Sequence, residues 1–135
     1  MLFRSEVIVA VVGAHLSGLP LNHQLTSRGA RLLEAAHTAA SYRLYALPNT
    51  TPPKPALRKV GPGGAAIAVE LWAMTHAAFG AFVEEVPPPL GIGTLALADG
   101  RAVKGFVCEP LALENATDIT AFGGWRAYLA ARAPA

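Results

Sequence analysis

A histidine and a serine stand between two glycines directly after the first apolar segment of the chain. Residues 7–12 form an unbroken run of apolar, mostly β-branched side chains, which predicts a strand buried on both faces. His15 and Ser17 follow this run between Gly13 and Gly18. Glycine lets the backbone turn sharply, backbone amides beyond a strand can bind an anion, and an imidazole exchanges protons near neutral pH. The sequence of this loop therefore predicts a site for a small anion at which His15 accepts or donates a proton.

Four further side chains are candidates for binding a substrate beside this loop. Lys54 stands between prolines that hold it rigidly, which suits it to bind a carboxylate, although a solvated loop lysine is the alternative. Lys104 lies in a predicted hairpin strand and either points toward the pocket or protects a sheet edge. Gln24 offers neutral hydrogen bonds, and Tyr45 either donates its hydroxyl or packs its ring.

Other polar residues have structural explanations. Glu70 interrupts the third apolar strand, and a carboxylate at such a position needs a partner, for which Arg58 and Lys104 are candidates. Asn22 is predicted to cap a short helix, and His23 on that helix either lines the pocket or is solvated.

Composition narrows the class of protein. The 135 residues fit one domain, 1–135, which is large enough to bury a core without help. Hydrophobic residues make up 53% and charged residues 15%, which argues against disorder and predicts an apolar surface suited to another subunit. A net charge of +2 without a basic cluster argues against nucleic acid. The first apolar run is too short for a signal peptide or a membrane span, and the single Cys108 cannot complete a disulfide or a zinc site. We therefore predict a cytoplasmic protein without membrane contact, metal or cofactor.

Turn residues divide the chain into about five strands and two or three helices. The predicted strands are 7–12, 31–37, 41–47, 65–73 and the hairpin of 94–97 with 102–108, and the predicted helices are 21–29, 76–86 and 124 onward. The proline-rich residues 48–55 predict a rigid loop that cannot join a sheet interior. The pattern indicates an α+β fold, a small, mostly antiparallel β-barrel with two or three flanking helices.

Several motifs spread along the chain carry a family resemblance. They are residues 11–25, Tyr42-Arg-Leu-Tyr-Ala-Leu47, Pro53-Lys-Pro55, Pro89-Leu-Gly-Ile-Gly93, Asp99-Gly100, Val103-Lys-Gly-Phe106 and Phe122-Gly-Gly-Trp-Arg-Ala-Tyr-Leu129. In this order, over nearly the whole chain, they resemble the C-terminal domain of allophanate hydrolases. That domain is similar in fold to the γ-glutamyl cyclotransferase family, small β-barrels with a pocket at the loop after the first strand.

The resemblance implies an enzyme of urea or carbamate nitrogen metabolism. In the family, an amidase domain removes ammonia from allophanate, and the C-terminal domain promotes decarboxylation of the product, N-carboxycarbamate, with an essential histidine. His15 matches the Gly-Ala-His-Leu motif and is the expected catalytic residue. Losing carbon dioxide from a carbamate requires a proton on nitrogen, which an imidazole supplies. The expected substrate-binding residues, for a small dicarboxylate, are Gly13, Ala14, Leu16, Ser17, Gln24, Tyr45, Lys54 and Lys104.

Two other functions stay open. A cyclotransferase needs a carboxylate near the end of the helix after the third strand, where Glu84 and Glu85 lie, but the surrounding residues lack the glutamate-glycine signature of that family. Because Met1 stands only a few residues before the first strand, we expect a stand-alone relative or a shortened piece, without the amidase domain. The third hypothesis is a non-catalytic module whose apolar surface binds a separate amidase or forms a homo-oligomer.

Overall fold

The computed structural model describes residues 6–132 and divides their strands between two sheets. In chain order the elements are β1 (Glu6–Val11), α1 (His23–Thr26), β2 (Arg31–His37), β3 (Tyr42–Ala46), β4 (Pro55–Lys59), β5 (Ala68–Thr75), α2 (His76–Glu84), β6 (Leu90–Ala96), β7 (Ala102–Cys108), α3 (Pro110–Leu113), β8 (Thr117–Asp118), a 3-10 helix (Thr120–Phe122) and α4 (Trp125–Arg132). The five-stranded sheet has the order β2, β5, β1, β7, β6, and the three-stranded sheet has the order β4, β3, β8. The α+β class is confirmed, with four α-helices within 6–132 rather than two or three.

The central strand of the larger sheet is β1, as its apolar run predicts. Val9, Ala10 and Val11 are buried, and β1 pairs antiparallel with β5 and parallel with β7. The parallel pair brings Gly105 opposite Ala10. A Cβ at Gly105 would lie 2.4 Å from the Leu95 side chain of β6 and 3.2 Å from the Ala10 carbonyl oxygen of β1, so glycine leaves room for both neighbouring strands at this position. The pairing with β1 places β7 beside the loop that follows β1.

The prediction of a closed or nearly closed barrel is wrong, because the two sheets do not close. The edge strands β2 and β6 meet only at one corner, where Thr38 bridges Leu97 and Ala39 N–H donates to the Ala96 carbonyl. After that corner the chain leaves β2 and enters β3, which belongs to the other sheet. The edge strands β2 and β6 therefore form no further pairs. On the other side, β4 pairs with β3 alone, and a cavity separates it from β7.

Strand β4 is absent from the sequence prediction, which placed residues 48–55 in a loop and assigned no strand to those that follow. The strand begins at Pro55, a position where a missing N–H costs no ladder hydrogen bond, and it lies at the edge of its sheet. The strand predicted at 65–73 spans Ala68–Thr75. Helix α3 is also unpredicted, being one turn long. The hairpin is confirmed, but its first strand begins at Leu90, four residues before the predicted start. The strand at 31–37 and the helices after Thr75 and Gly124 agree with the prediction.

Two buried polar side chains bind backbone groups near the corner where β2 and β6 meet. Tyr42 on β3 is 2% exposed, and its hydroxyl accepts a hydrogen bond from the Ala96 amide of β6 at 2.9 Å. The Thr38 hydroxyl accepts from the Ile67 amide at 3.0 Å and donates to the Ala39 carbonyl. The Tyr42 bond joins the two sheets, and the Thr38 bonds satisfy backbone groups of the segments beside the corner. Within residues 6–132, no helix is long and apolar enough to cross a membrane.

We expect Tyr42→Phe to lower the free energy of unfolding by about 1 kcal/mol, because the Ala96 amide loses its acceptor while the ring packing is kept. Urea unfolding at pH 7 measures the change. Tyr128→Phe is the matched control, since its half-buried hydroxyl makes no hydrogen bond within residues 6–132. Equal losses in the two variants would contradict a role for the Tyr42 hydroxyl in joining the sheets.

Candidate functional site

The loop after β1 is held against two neighbouring parts of the fold. Gly13 lies against the end of the proline-rich loop, since a Cβ there would be 2.2 Å from the Pro55 ring. The Leu16 amide donates to the Gly13 carbonyl at 2.9 Å, and the Leu21 amide donates to the Ala14 carbonyl at 2.8 Å. Leu16 itself is buried and belongs to the core. The loop is thus folded back on itself with its start pressed against β4.

Two successive backbone amides of this loop lack a hydrogen-bond acceptor within residues 6–132. They are the N–H groups of Ala14 and His15. Ala14, His15 and Gly13 line a small cavity together with Lys54. Successive unpaired amides attract anions. These two amides are therefore candidate donors for the anion site that the sequence predicts, which stays a prediction.

His15 is a buried imidazole enclosed by two aromatic rings. Its ring is stacked on Phe106 of β7, with centroids 5.0 Å apart, and meets Phe82 of α2 edge-on at 5.2 Å. Its Nε2 lies 2.7 Å from the Gln24 side-chain oxygen on α1. Burial lowers the pKa of His15 below its ordinary value; the bond to Gln24 opposes this, and the charge of Lys54 adds to it. The imidazole is therefore neutral at pH 7, and it donates through Nε2 to Gln24, which leaves Nδ1 as the proton acceptor.

Lys54 brings a positive charge to the same cavity. Its backbone is fixed on both sides, since its amide donates to the Thr50 hydroxyl at 2.9 Å and its carbonyl accepts from the Leu47 amide. With His15, Gln24 and Leu90 it lines a cavity of about 210 Å³, a volume suited to a small substrate. The charge of the Lys54 ammonium disfavours protonation of the ring and so adds to the lowering of the His15 pKa. The prediction that prolines hold this lysine rigidly agrees with these bonds.

Glu70 anchors the far end of the loop. The pairing of β1 with β5 places Glu70 opposite Val11, where the chain leaves the sheet. Its carboxylate accepts from the amide and the hydroxyl of Ser17, each at 2.8 Å, and from Trp72 and Arg126. Burial raises the pKa of Glu70, but these donors outweigh it and hold the pKa below its ordinary value. The expectation that Arg58 or Lys104 pairs with Glu70 is wrong, because α4 supplies Arg126 instead.

Glu85 lines the cavity beside His15, which distinguishes it from Glu84. Its carboxylate accepts from Arg28 at 2.5 Å, and Arg28 also donates to the Gln24 carbonyl at 2.7 Å. Glu84 lines neither of the cavities beside His15. Of the two acidic residues left open by the sequence, only Glu85 is placed near the imidazole.

Four sequence candidates lie away from this cavity. Lys104 is exposed on β7, where its ammonium donates to the Thr94 hydroxyl on β6 at 3.3 Å. Tyr45 on β3 lines neither cavity beside His15. The Ser17 side chain faces Glu70 instead. His23 is exposed, and its ring contacts the Pro20 carbonyl. Asn22 stands at the N-cap position of α1 as predicted, but its side chain makes no capping bond and donates instead to the His15 carbonyl.

The residues missed by the sequence analysis are the aromatic rings around His15. Phe106 belongs to a quoted motif, and Phe82 lies in the predicted helix 76–86. The sequence alone does not show that either phenylalanine contacts His15. Within residues 6–132, no group of three or more His, Cys, Asp or Glu side chains is placed to bind a metal ion.

We expect Glu70→Gln to lower the free energy of unfolding at pH 7 by about 1.5–3 kcal/mol, because the Ser17 and Arg126 donors lose a charged acceptor. Since folding lowers the pKa of Glu70, its contribution is present above the unfolded-state pKa and is lost as the pH falls through the lower folded-state value. Urea unfolding from pH 3 to pH 7 measures both effects. The matched control is Glu34→Gln, whose exposed carboxylate lies 3.5 Å from Arg101. An acid dependence that is unchanged in Glu70→Gln would contradict this account.

Known proteins similar to this chain include large urea amidolyases. The chain is 45% identical over 128 residues to the urea amidolyase of Lachancea kluyveri, a match that covers 92% of this chain and 7% of the relative. It therefore spans less than a tenth of the length of that protein. The crystal structure of the Kluyveromyces lactis urea amidolyase superposes with a TM-score of 0.91 at 43% identity, covering 95% of this chain and 8% of that one.

A relative of similar length also exists among solved structures. A uropathogenic E. coli-specific protein superposes with a TM-score of 0.86 at 33% identity, covering 93% of this chain and 96% of that one. A γ-glutamyl cyclotransferase structure superposes with a TM-score of 0.58 at 11% identity, over 84% of this chain and 69% of that one, which confirms a shared fold and no more. The family model of the allophanate hydrolase C-terminal domain matches residues 7–130. The chain therefore belongs to the family of allophanate hydrolase C-terminal domains.

Proposed function

We propose that this domain binds a small carboxylated amide or carbamate beside His15 and promotes its decarboxylation, with N-carboxycarbamate as the substrate. The observation that carries the proposal is the juxtaposition of a buried, neutral imidazole with Lys54 and two unpaired backbone amides around one cleft. The ammonium and the amides complement two carboxylates, and the imidazole supplies the titratable group. Membership of the family supports the same chemistry.

The proton reaches His15 when the substrate binds. In the free protein the imidazole is neutral, since burial and Lys54 disfavour its charged form. A bound dianion reverses this balance, because an opposite charge within a few ångströms raises the pKa of a histidine. Nδ1 then takes up a proton and faces the ligand while Nε2 stays bonded to Gln24. The bound substrate thus produces the acid that its own breakdown requires.

Decarboxylation then needs one bond cleavage and one proton transfer. The bond between the nitrogen and one carboxylate carbon breaks, carbon dioxide leaves, and the electron pair of that bond remains on nitrogen. The imidazolium delivers its proton to this nitrogen, which leaves carbamate and a neutral His15. Lys54 and the loop amides hold the remaining carboxylate throughout. The aromatic walls exclude water from the ring, which strengthens these charge interactions.

Malonate, which replaces the central nitrogen with carbon, should bind in this cleft. We expect Lys54→Ala to weaken malonate binding roughly tenfold or more, because a charge-assisted hydrogen bond is lost. Isothermal titration calorimetry at low salt measures the affinities. Lys104→Ala is the matched control, since it removes the same charge outside the cleft. Equal affinities of the Lys54→Ala and Lys104→Ala variants would remove Lys54 from the site.

His15→Ala should abolish turnover, with a loss of about 10²–10⁴ in rate, because a positioned proton donor contributes that much. Malonate binding to the wild type should take up protons near neutral pH, and this uptake should vanish in the variant. Calorimetry in buffers of different ionisation enthalpy measures the uptake, and carbon dioxide release measures turnover after the spontaneous rate is subtracted. Retained activity in folded His15→Ala would overturn the assignment.

A cyclotransferase reaction is the second candidate, and the position of Glu85 in the same cavity favours it. Its bond to Arg28 occupies this carboxylate, which leaves it poorly placed to move protons. We expect Glu85→Gln to leave decarboxylation nearly unchanged, with Glu84→Gln as the matched control. Release of 5-oxoproline from γ-glutamyl substrates that depends on Glu85 would overturn decarboxylation in favour of cyclisation. Activity in neither assay would favour a module that binds a separate amidase.

A further inference from the structure

A second cavity opens on the other side of Phe106 from the histidine cleft. We call it the seam cavity, because it lies where β4 and β7 fail to pair. Its volume is about 510 Å³, larger than either cavity beside His15. Its lining comes from β3, β4, β6, β7 and the segment that contains α3, and consists of Tyr42, Leu57, Arg58, Lys59, Thr94, Leu95, Phe106, Val107, Cys108, Pro110, Leu113 and Glu114.

The inner wall of the seam cavity is apolar and belongs to the core. Leu57, Leu95 and Phe106 are each at least 94% buried, as is Tyr42, whose hydroxyl is occupied by the Ala96 amide. The outer wall includes Val107, which is 40% exposed. A ligand that covers Val107 removes its exposed apolar surface from water, which is favourable, and the buried inner wall offers packing contacts. The volume falls within the range of small-molecule sites.

Two cations stand at the mouth of the cavity without anionic partners. Arg58 and Lys59 are exposed at the end of β4, and neither side chain forms a hydrogen bond or an ion pair within residues 6–132. Arg43, directly across the sheet from Arg58, is bonded to Asp118. The lining contains one carboxylate, that of Glu114, so the mouth is positive overall. This charge favours an anionic group, which a guanidinium can bind in a bidentate manner.

We propose that the seam cavity is a second binding site, which takes an organic monocarboxylate with an aromatic or branched apolar body. The carboxylate lies at Arg58 and Lys59, and the apolar body packs on Leu57, Leu95 and Phe106. The site is separate from the histidine cleft, since the two share only the Phe106 ring among their lining residues. Nothing in the proposed decarboxylation uses it.

The Cys108 thiol can be used to measure ligand binding at this site. Cys108 is the single cysteine of the sequence, and it lines the seam cavity with its side chain half-buried. Burial raises the pKa of its thiol, with a further contribution from Glu109, so its reaction with maleimides is slow and easily followed. A ligand that fills the cavity covers this thiol. The rate of modification therefore measures binding at this one place.

The test follows modification of Cys108 by N-ethylmaleimide, by mass spectrometry, with increasing acetate, phenylacetate, 1-naphthylacetate or benzyl alcohol. We expect saturable protection by phenylacetate, tighter protection by 1-naphthylacetate, and none by acetate or benzyl alcohol at the same concentrations. The double variant Arg58→Gln, Lys59→Gln should need about tenfold more phenylacetate for half-protection. Arg132→Gln at the end of α4 is the matched control for loss of a surface charge, and it should behave as the wild type.

Three results would overturn the proposal. The first is no protection by either aromatic carboxylate. The second is equal protection in the wild type and the double variant, which would remove the two cations from the site. The third is loss of protection in Lys54→Ala, which would place the carboxylate in the histidine cleft instead. Unchanged protection in Lys54→Ala supports two separate sites, whatever the outcome of the decarboxylation assays.

Discussion

The hydrogen bonds from Ser17 to Glu70 anchor the loop that carries His15. The loop between β1 and α1 has no ladder of hydrogen bonds to position it, so a few contacts must do so. The register of β1 on β5 puts Glu70 beside the start of the loop, and its carboxylate takes both the amide and the hydroxyl of Ser17. Arg126 adds a third contact, since it donates to the Ser17 carbonyl at 2.6 Å. The C-terminal helix thereby helps to position a loop more than a hundred residues earlier in the sequence.

Burial disfavours the charged form of both His15 and Glu70, but the two groups end in different charge states. Glu70 stays charged because four donors compensate for its desolvation. His15 has one polar partner on its ring, Gln24, and two aromatic neighbours, so desolvation prevails and the ring is neutral. In both cases the folded protein binds protons less readily than the unfolded chain. The free energy of unfolding therefore decreases as the pH falls through the range in which each group titrates. The same imbalance at His15 makes its protonation depend on an anion entering the cleft.

The sequence predicted the loop of His15, the rigid Lys54 and most elements, because these depend on local patterns. Apolar runs, glycines, prolines and the threonine cap are each visible within a few residues. What it missed depends on contacts across the fold. Whether the sheet closes depends on how far its two edge strands stay paired, and here their pairing ends at Thr38. No pattern of neighbouring residues in the sequence indicates this. The charged partner of Glu70 is Arg126, which lies near the C-terminal end of the chain. Lys104 bonds to Thr94 because β7 pairs with β6. Pro55 concealed β4, since proline ordinarily argues against a strand.

Phe106 forms a wall of both cavities, and its setting bears on whether they communicate. Energetic coupling between two sites requires an element with two arrangements that the ligands favour differently. Phe106 lies on β7, one residue beyond Gly105, which pairs with Ala10 of β1. Its ring is also packed against Phe82 and His15, with centroids 5.9 Å and 5.0 Å away. The ring is thus held by the sheet register on one side and by two aromatic neighbours on the other. We therefore expect a ligand in the seam cavity to leave the imidazole undisturbed, and the two cavities to act as independent sites on one shared wall.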